Sequence, residues 1–441
     1  MKETDFTQGS IAKELFIFAL PLMLGNILQQ CYNITDTLIV GRFLGKEALA
    51  AVGSAYTLMI FLTSVLLGLS MGSGAFISAA FGKKDFVQLK EGNFMSLCMI
   101  SLFTAFLTIL VYIFTDKILI FLQIPPEVLL PLKSYLLVIF SGIPATFIYN
   151  YYASVLRALG NSLAPLIFLA ASALLNIILD ILFVAIFSFG IEGAAAATVI
   201  AQYLSALGLV IFTVKKAPLL RLKKECMKFK KEYLKPILSL SFLTSLQQSI
   251  MNFGILMVQG RVNYFGTEVM AAFAAAVKVD TLAYSPVQDF GNAFSTFVAQ
   301  NYGGKKMDRI KKGLKVSVLS VLIFCLIISA AVFIFARPLI AIFTKDLAVI
   351  KIGIEYLRIE GSFYCLIGFL FLFYGYFRAI QKPFVSVVLT VASLGTRVFL
   401  AYKLSATPLG PNGIWLSIPI GWALADILGF IFLKIWGRRF S

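Results

Sequence analysis

The feature that most constrains this chain is the recurrence of apolar runs long enough to cross a lipid bilayer. About 20 consecutive apolar residues span the hydrocarbon as a helix. Such runs follow one another from Ile11 almost to the last residue, parted by short breaks rich in Lys, Gly and Pro. A soluble domain cannot cover that surface, because 60% of the 441 residues are hydrophobic and only 13% are charged. The bilayer has to act as solvent, and within it helices satisfy their own backbone polar groups. Hydropathy and breakers predict an all-α polytopic membrane protein with helices over 11–40, 50–80, 93–115, 128–156, 163–187, 191–213, 235–259, 268–300, 313–335, 349–377, 384–404 and 412–436. The first run is too long for a signal peptide and lacks a small-residue cleavage pattern, so it is expected to stay as the first helix.

What is missing narrows the chemistry. The chain has no histidine, which excludes His-dependent triads, zinc–His motifs and imidazole relays and leaves proton or ion work to carboxylates. Its five cysteines are scattered without a CxxC spacing, so neither a disulfide framework nor a transition-metal site is expected, and no cofactor beyond a coupling ion. The net charge of +17 lies in the breaks rather than on one amphipathic face, which points to orientation in a membrane and not to nucleic acid. The most basic stretch runs from Lys215 through Arg221, Lys228 and Lys231 to Lys235. It reads as a cytoplasmic linker, 217–234, between an N-lobe, 1–216, and a C-lobe, 235–441. An inside N-terminus collects that linker, Lys83, Lys84, Lys90, Arg157, the Lys305–Lys315 loop, Arg378, Lys382, Lys434, Arg438 and Arg439 on one side. Both termini are thus expected on the cytoplasmic face of the cell membrane.

The two lobes look like copies. A shift of 221 residues aligns Phe76–Gly82 with Phe297–Gly303, Gly92 with Gly313, and Arg157-Ala158 with Arg378-Ala379. Slightly smaller shifts align Gln29-Gln30 with Gln247-Gln248, and Gly190 and Gly193 with Gly410 and Gly413. In one order across six hairpins these matches indicate duplication. An even helix count per half makes the repeats parallel, related by an axis along the membrane normal, which suits a V-shaped transporter with a central cleft.

Ionisable residues at bilayer depth are costly, about 2.5–3.5 kcal/mol each on insertion scales, and so need a partner or a role. The first helix carries Tyr32, Asn33 and Asp36, the fifth Asn176 and Asp180, the sixth Thr198 and Gln202. The fourfold spacing in Asn176/Asp180 and in Thr198/Gln202 puts each pair on one helical face. Two carboxylates with amide and hydroxyl oxygens suit a hard monovalent cation, and the same pair can share a proton, so Na+ and H+ both stay open. Position alone also allows Asp36 and Asp180 to be hydrated helix-end residues.

The segment Pro21–Gly53, PLMLGNILQQCYNITDTLIVGRFLGKEALAAVG, resembles the opening signature of the MATE (multidrug and toxic compound extrusion) transporters, prokaryotic type. With the Phe76–Gly82 and Phe297–Gly304 boundaries and the GxxGAAxAT-like Gly190–Thr198, the resemblance covers essentially the whole chain. It implies two pseudo-twofold six-helix lobes and export by antiport. It also implies an N-lobe cation site on Asp36, Asn176, Asp180 and Thr198, which here would take Na+ or H+. Pro21 removes one hydrogen bond from the first helix and is the candidate kink that answers a change at Asp36.

The second half departs from the first. The 221 shift turns Asn176 into Arg397 and Asp180 into Ala401, while the eighth helix carries Lys278, Asp280 and Asp289. Lys278 and Asp280 are two apart and do not face each other, so a partner such as Arg397 is expected. Glu355 and Glu360 of the tenth helix are uncertain matches to the C-lobe carboxylates of sodium-using members. A cleft for amphipathic, cationic organic substrates is expected among Tyr32, Asn33, Tyr149, Asn150, Tyr152, Gln202, Phe253 and Tyr284, by burial and cation–π contact. A flippase for lipid-linked saccharides is the nearest alternative, but only two basic residues lie within the helices. A channel or a membrane enzyme fits less well. A monomer in lipid suffices for the expected function.

Overall fold

In the computed structural model, which describes residues 4–121, 126–222 and 224–437, each expected span is a helix, and no strand occurs among the described residues. The first half holds α1 (Ile11–Gly45), α2 (Glu47–Gly82), α3 (Phe86–Ile113), α4 (Pro126–Ala158), α5 (Leu163–Ile186) and α6 (Gly190–Lys216). The second holds α7 (Lys231–Asn263), α8 (Thr267–Gly303), α9 (Met307–Ile334), α10 (Leu347–Gly361 and Tyr364–Ala379), α11 (Pro383–Leu404) and α12 (Pro411–Gly437). Among the described residues nine helices are long and apolar enough to cross a membrane, and α10, bent by 51° between its pieces, makes a tenth. The more polar α7 and α8 complete the twelve. Lys223, Arg438 and Arg439 of the basic segments lie outside the described residues.

Several helices outrun their apolar stretches, because backbone hydrogen bonding continues past the hydrocarbon boundary. α1 reaches Gly45, whose φ of 84° and ψ of −173° end it. Such a conformation is open to glycine and costly to any residue with a Cβ. Its counterpart Gly266, 221 residues on, has φ 93°. The same separation relates the positive-φ residues Lys84 and Lys305, and Gly160 and Gln381. The duplication is therefore written in the turns as well as in the sequence. It also reaches the packing: a Cβ on Gly92 would come within 2.4 Å of the Phe76 ring, and one on Gly313 within 2.2 Å of the Phe297 ring. The aligned glycines and phenylalanines are contact pairs, each a large ring seated where the facing helix has no side chain.

By contacts the chain forms two compact units, one of Leu20–Ser245 with Thr4, the other of Asp5–Ala19 with the chain from Leu246 on. This divides the chain differently from a count of helices. In unit 1, α2 lies almost backbone to backbone against the first half of α7, since a Cβ on Gly68 would meet Ser245 Cα at 2.3 Å, and the Ser73 and Ser241 hydroxyls are 2.9 Å apart. The basic linker docks on α3. Lys230 Nζ reaches Glu91 Oε2 at 2.8 Å, Phe229 meets Phe94 edge-on, and Asn93 Nδ2 donates to Leu220 O. Contact with Glu91 holds the Lys230 ammonium above its ordinary range.

In unit 2 the segment before α1 is held by side chains of α8 and α9. Phe6 is fully buried, edge-on to Phe18 and Phe297. Its N–H donates to Gln300 Oε1 at 2.9 Å, and its carbonyl accepts from Asn301 Nδ2 at 3.0 Å and Arg309 Nε at 2.8 Å. Lys306 Nζ donates to Thr7 O at 2.8 Å. Past Ala19, where unit 2 gives way to unit 1, α1 runs on through Pro21 with helical backbone, and Gly45 is its one non-helical residue.

Candidate functional site

Unit 1 brings Asp36, Asn176, Asp180 and Thr198 together. Asp36 reaches inward from α1 at 9% exposure, Asp180 from α5 at 0%, Asn176 from α5 at 2% and Thr198 from α6 at 6%. Asp180 is the last residue of regular α-helix before α5 widens into a π turn over Ile181–Ile186. Such a turn inserts a residue into the ladder and re-aims the side chains beside it. Oriented as its neighbours require, the Asn176 amide donates from Nδ2 to Asp180 Oδ2 at 2.8 Å. Its Oδ1 accepts from the Thr198 N–H and hydroxyl, each at 3.2 Å. The Asp36 and Asp180 carboxyls are within hydrogen-bond reach of each other. One oxygen on each, Oδ1, is buried with no hydrogen-bond partner.

That geometry limits the chemistry. A hydrogen bond between two carboxyls needs a proton on one of them, and two ionised carboxylates in so dry a place need a cation between them. Either a proton or a small hard cation meets the need. Tyr32, one turn before Asp36, lies beside Thr198, and Tyr135 of α4 lies close enough to feel both carboxylates. Asn33 lies beside Tyr56 on α2. Gln202, a turn beyond Thr198, packs instead against Gly142.

The remaining cleft candidates are described within their own units. In unit 1 the Tyr149 hydroxyl donates to Pro165 O at 2.9 Å, Asn150 Nδ2 to Thr146 O in its own helix at 2.8 Å, and Tyr152 stands edge-on to Tyr151. In unit 2 Phe253 is exposed and Tyr284 packs beside Phe371.

Unit 2 holds a second acidic cluster. Asp280 of α8, 2% exposed, accepts a hydrogen bond from the Tyr364 hydroxyl. Glu360 of α10, 3% exposed, is in hydrogen-bond reach of Asp280 and Tyr356. Arg397 of α11 acts on both carboxylates by charge, although no ion pair within 4 Å joins them among the described residues. Lys278 faces away, with its ammonium 5.8 Å from the Phe343 ring centre. Asp289 is half-buried and has contacts of its own. Reading the sequence singled out Asp280 and Arg397 but not Tyr356 or Tyr364, and left Glu360 uncertain. A signal was present: the 221 shift relates Tyr135 to Tyr356 as it relates Asn176 to Arg397. Both clusters therefore occupy the same place in the repeat.

Comparison with known proteins agrees with this architecture. The MatE family model matches residues 21–182 and 241–403. The chain is 30% identical to a Bacillus subtilis protein named "Probable multidrug resistance protein YpnP", over 99% of this chain and 98% of that one. It is 28% identical to "Probable multidrug resistance protein YoeA" of the same organism, over 98% and 96%. A solved structure described as the outward-facing conformation of a multidrug resistance MATE family transporter of the MOP superfamily matches with a TM-score of 0.93. It covers 100% of this chain and 99% of that one at 24% identity, a likeness of fold.

Proposed function

Because the chain belongs to the MatE family, we propose that it exports amphipathic, cationic organic compounds across the cell membrane, driven by inward movement of Na+ or H+ through the Asp36/Asn176/Asp180/Thr198 cluster. Relatives named for multidrug resistance support the substrate class. The observation that carries the coupling reading is the buried carboxyl pair, with one partnerless oxygen on each residue and neutral donors on its flank. A site built in this way changes charge when a cation arrives, and Asp36 sits on the helix that also carries Pro21. Cation and substrate favour different states of the same molecule, so each weakens the other's binding by an equal factor. Both termini lie on the cytoplasmic side in this reading, with the basic linker.

The test is efflux of a fluorescent cationic dye from proteoliposomes, with Na+ and pH gradients imposed separately. Wild type is expected to respond to at least one gradient. Asp36→Asn and Asp180→Asn are each expected to insert normally and lose the response. Gradient-driven efflux at the wild-type rate in both variants would defeat the assignment.

A further inference from the structure

Unit 2 contains a buried carboxylate that the coupling site does not use. Asp426, in the middle of α12, is 4% exposed, and neither of its carboxyl oxygens has a hydrogen-bond partner. An ionised carboxylate stranded in this way costs several kcal/mol, and the neutral acid far less. Its surroundings are apolar: Gly429 lies against the Phe373 ring, and Phe430 meets that ring edge-on at 5.0 Å. From α10 the titratable group facing it is Tyr374, which lies beside Thr390 of α11. No charged group on α10, α11 or α12 acts on it among the described residues. Two hydroxyls fall short of the roughly six oxygens that a hard metal cation gathers, which leaves the proton as ligand.

A row of polar side chains on α11 runs from Thr390, beside Tyr374, to the acidic cluster of the same unit; at rest the Ser386 hydroxyl donates to Tyr374 O at 3.3 Å and the Thr390 hydroxyl to Ser386 O at 2.9 Å. Ser386, Thr390, Ser393 and Arg397 follow at helical spacing on one face of α11, with exposures of 3%, 1%, 4% and 9%. α12 lies on that face, since a Cβ on Gly421 would meet Ser393 O at 2.5 Å and Arg397 Cβ at 3.4 Å. At one end Arg397 acts on Asp280 and Glu360. At the other, Thr390 meets Tyr374. Successive positions are about 6 Å apart, a gap that one bridging water spans.

We propose that Asp426 is a second proton-binding site, which exchanges its proton with the Asp280–Glu360 cluster along the hydroxyl face of α11. A proton leaving a carboxyl of the cluster passes to the Ser393 end. Each oxygen along the track accepts one proton and releases its own as far as Thr390; the Tyr374 hydroxyl oxygen then takes that proton and gives its own to the Asp426 carboxylate. Only O–H bonds form and break, and nothing is oxidised or reduced.

Infrared difference spectra of the full chain in lipid nanodiscs, stepped in pH with neither substrate nor gradient, test the proposal. A protonated-carboxyl C=O band is expected that disappears in Asp426→Asn and shifts in Asp426→Glu, which keeps the acid and guards against a loss of fold. The band should persist in Asp36→Asn and Asp180→Asn, which separates this outcome from the coupling site. Thr390→Val should retain the band but slow its appearance after a pH jump by about tenfold, equivalent to about 1.4 kcal/mol in barrier. Identical spectra for wild type, Asp426→Asn and Asp426→Glu would overturn the site. A wild-type rate in Thr390→Val would overturn the route.

Discussion

In unit 1 the paired carboxylates come from α1 and α5, and in unit 2 from α8 and α10. Both clusters nevertheless stand beside the same repeated positions, Tyr135 and Tyr356, Asn176 and Arg397. The duplicated scaffold fixes where a polar cluster fits, and the acids reach that place from whichever helices carry them. The difference lies in the counter-charge. Unit 2 has a tethered guanidinium next to its two carboxylates. No Lys or Arg acts on the pair in unit 1 among the described residues, so its neutralising charge has to come from outside. A site of that kind can be loaded and emptied, whereas one with a built-in cation is already balanced in part.

Exchanging the two partners breaks the comparison most sharply. Asn176→Arg places a fixed cation on the Asp36/Asp180 pair and is expected to bring gradient-driven dye efflux down to background while the protein still inserts. Efflux at the wild-type rate would mean that the pair needs no external cation. The reciprocal change, Arg397→Asn, leaves Asp280 and Glu360 without their cation and is expected to cost about 3 kcal/mol of unit 2 stability. Thermal unfolding should report that loss, and adding Glu360→Gln should recover much of it. An unchanged unfolding temperature would show that the guanidinium does not balance the cluster.

Where the repeats agree, equal effects are expected. Gly92→Ala and Gly313→Ala each drive a methyl into a phenylalanine ring, at about 1–3 kcal/mol each. Similar losses in both variants support equivalent packing, and a loss in only one argues against it. The smallest effect concerns a cap. Asp85 caps α3 by accepting from the Gln88 N–H at 3.0 Å, whereas its counterpart Lys306 gives α9 no side-chain cap. Asp85→Ala should therefore cost about 1 kcal/mol. The Gln88 N–H first, and Lys83 next, hold the Asp85 carboxyl below its ordinary range. Its stabilisation is then complete above the unfolded value of about 3.9 and is lost as pH falls through the lower, folded value. The difference between wild type and Asp85→Ala should shrink on acidification in that window; a constant difference would remove the cap as its cause.

The architecture was readable because membrane helices announce themselves by length, and because the Phe76/Gly92 and Phe297/Gly313 contacts preserve residue type across the repeat. The unit 1 cluster was readable because Asn176 and Asp180 share one helix face and Thr198 opens the next polar face in sequence. Glu360 was harder to place. It lies just before the bend in α10, where a charged residue reads as a helix end. Asp426 was overlooked for a different reason. Its helix neighbours three and four residues away are Ala423, Trp422, Gly429 and Phe430, and the hydroxyl that faces it belongs to another helix, α10. The charge of Asp426 inside an apolar span was the one local signal, and the rest of its own helix does not say what it faces.

The burial of Phe6 also bears on the order in which the molecule can be finished. Its hydrogen-bond partner Gln300 lies 294 residues further along the chain, and at roughly 5–20 residues per second that separation takes about 15–60 s to synthesise. Throughout that time the residues ahead of α1 have left the ribosome while the helices that will hold them do not yet exist. The segment ahead of α1 is thus among the last parts to be placed, and a ribosome stalled before α8 leaves it without its berth.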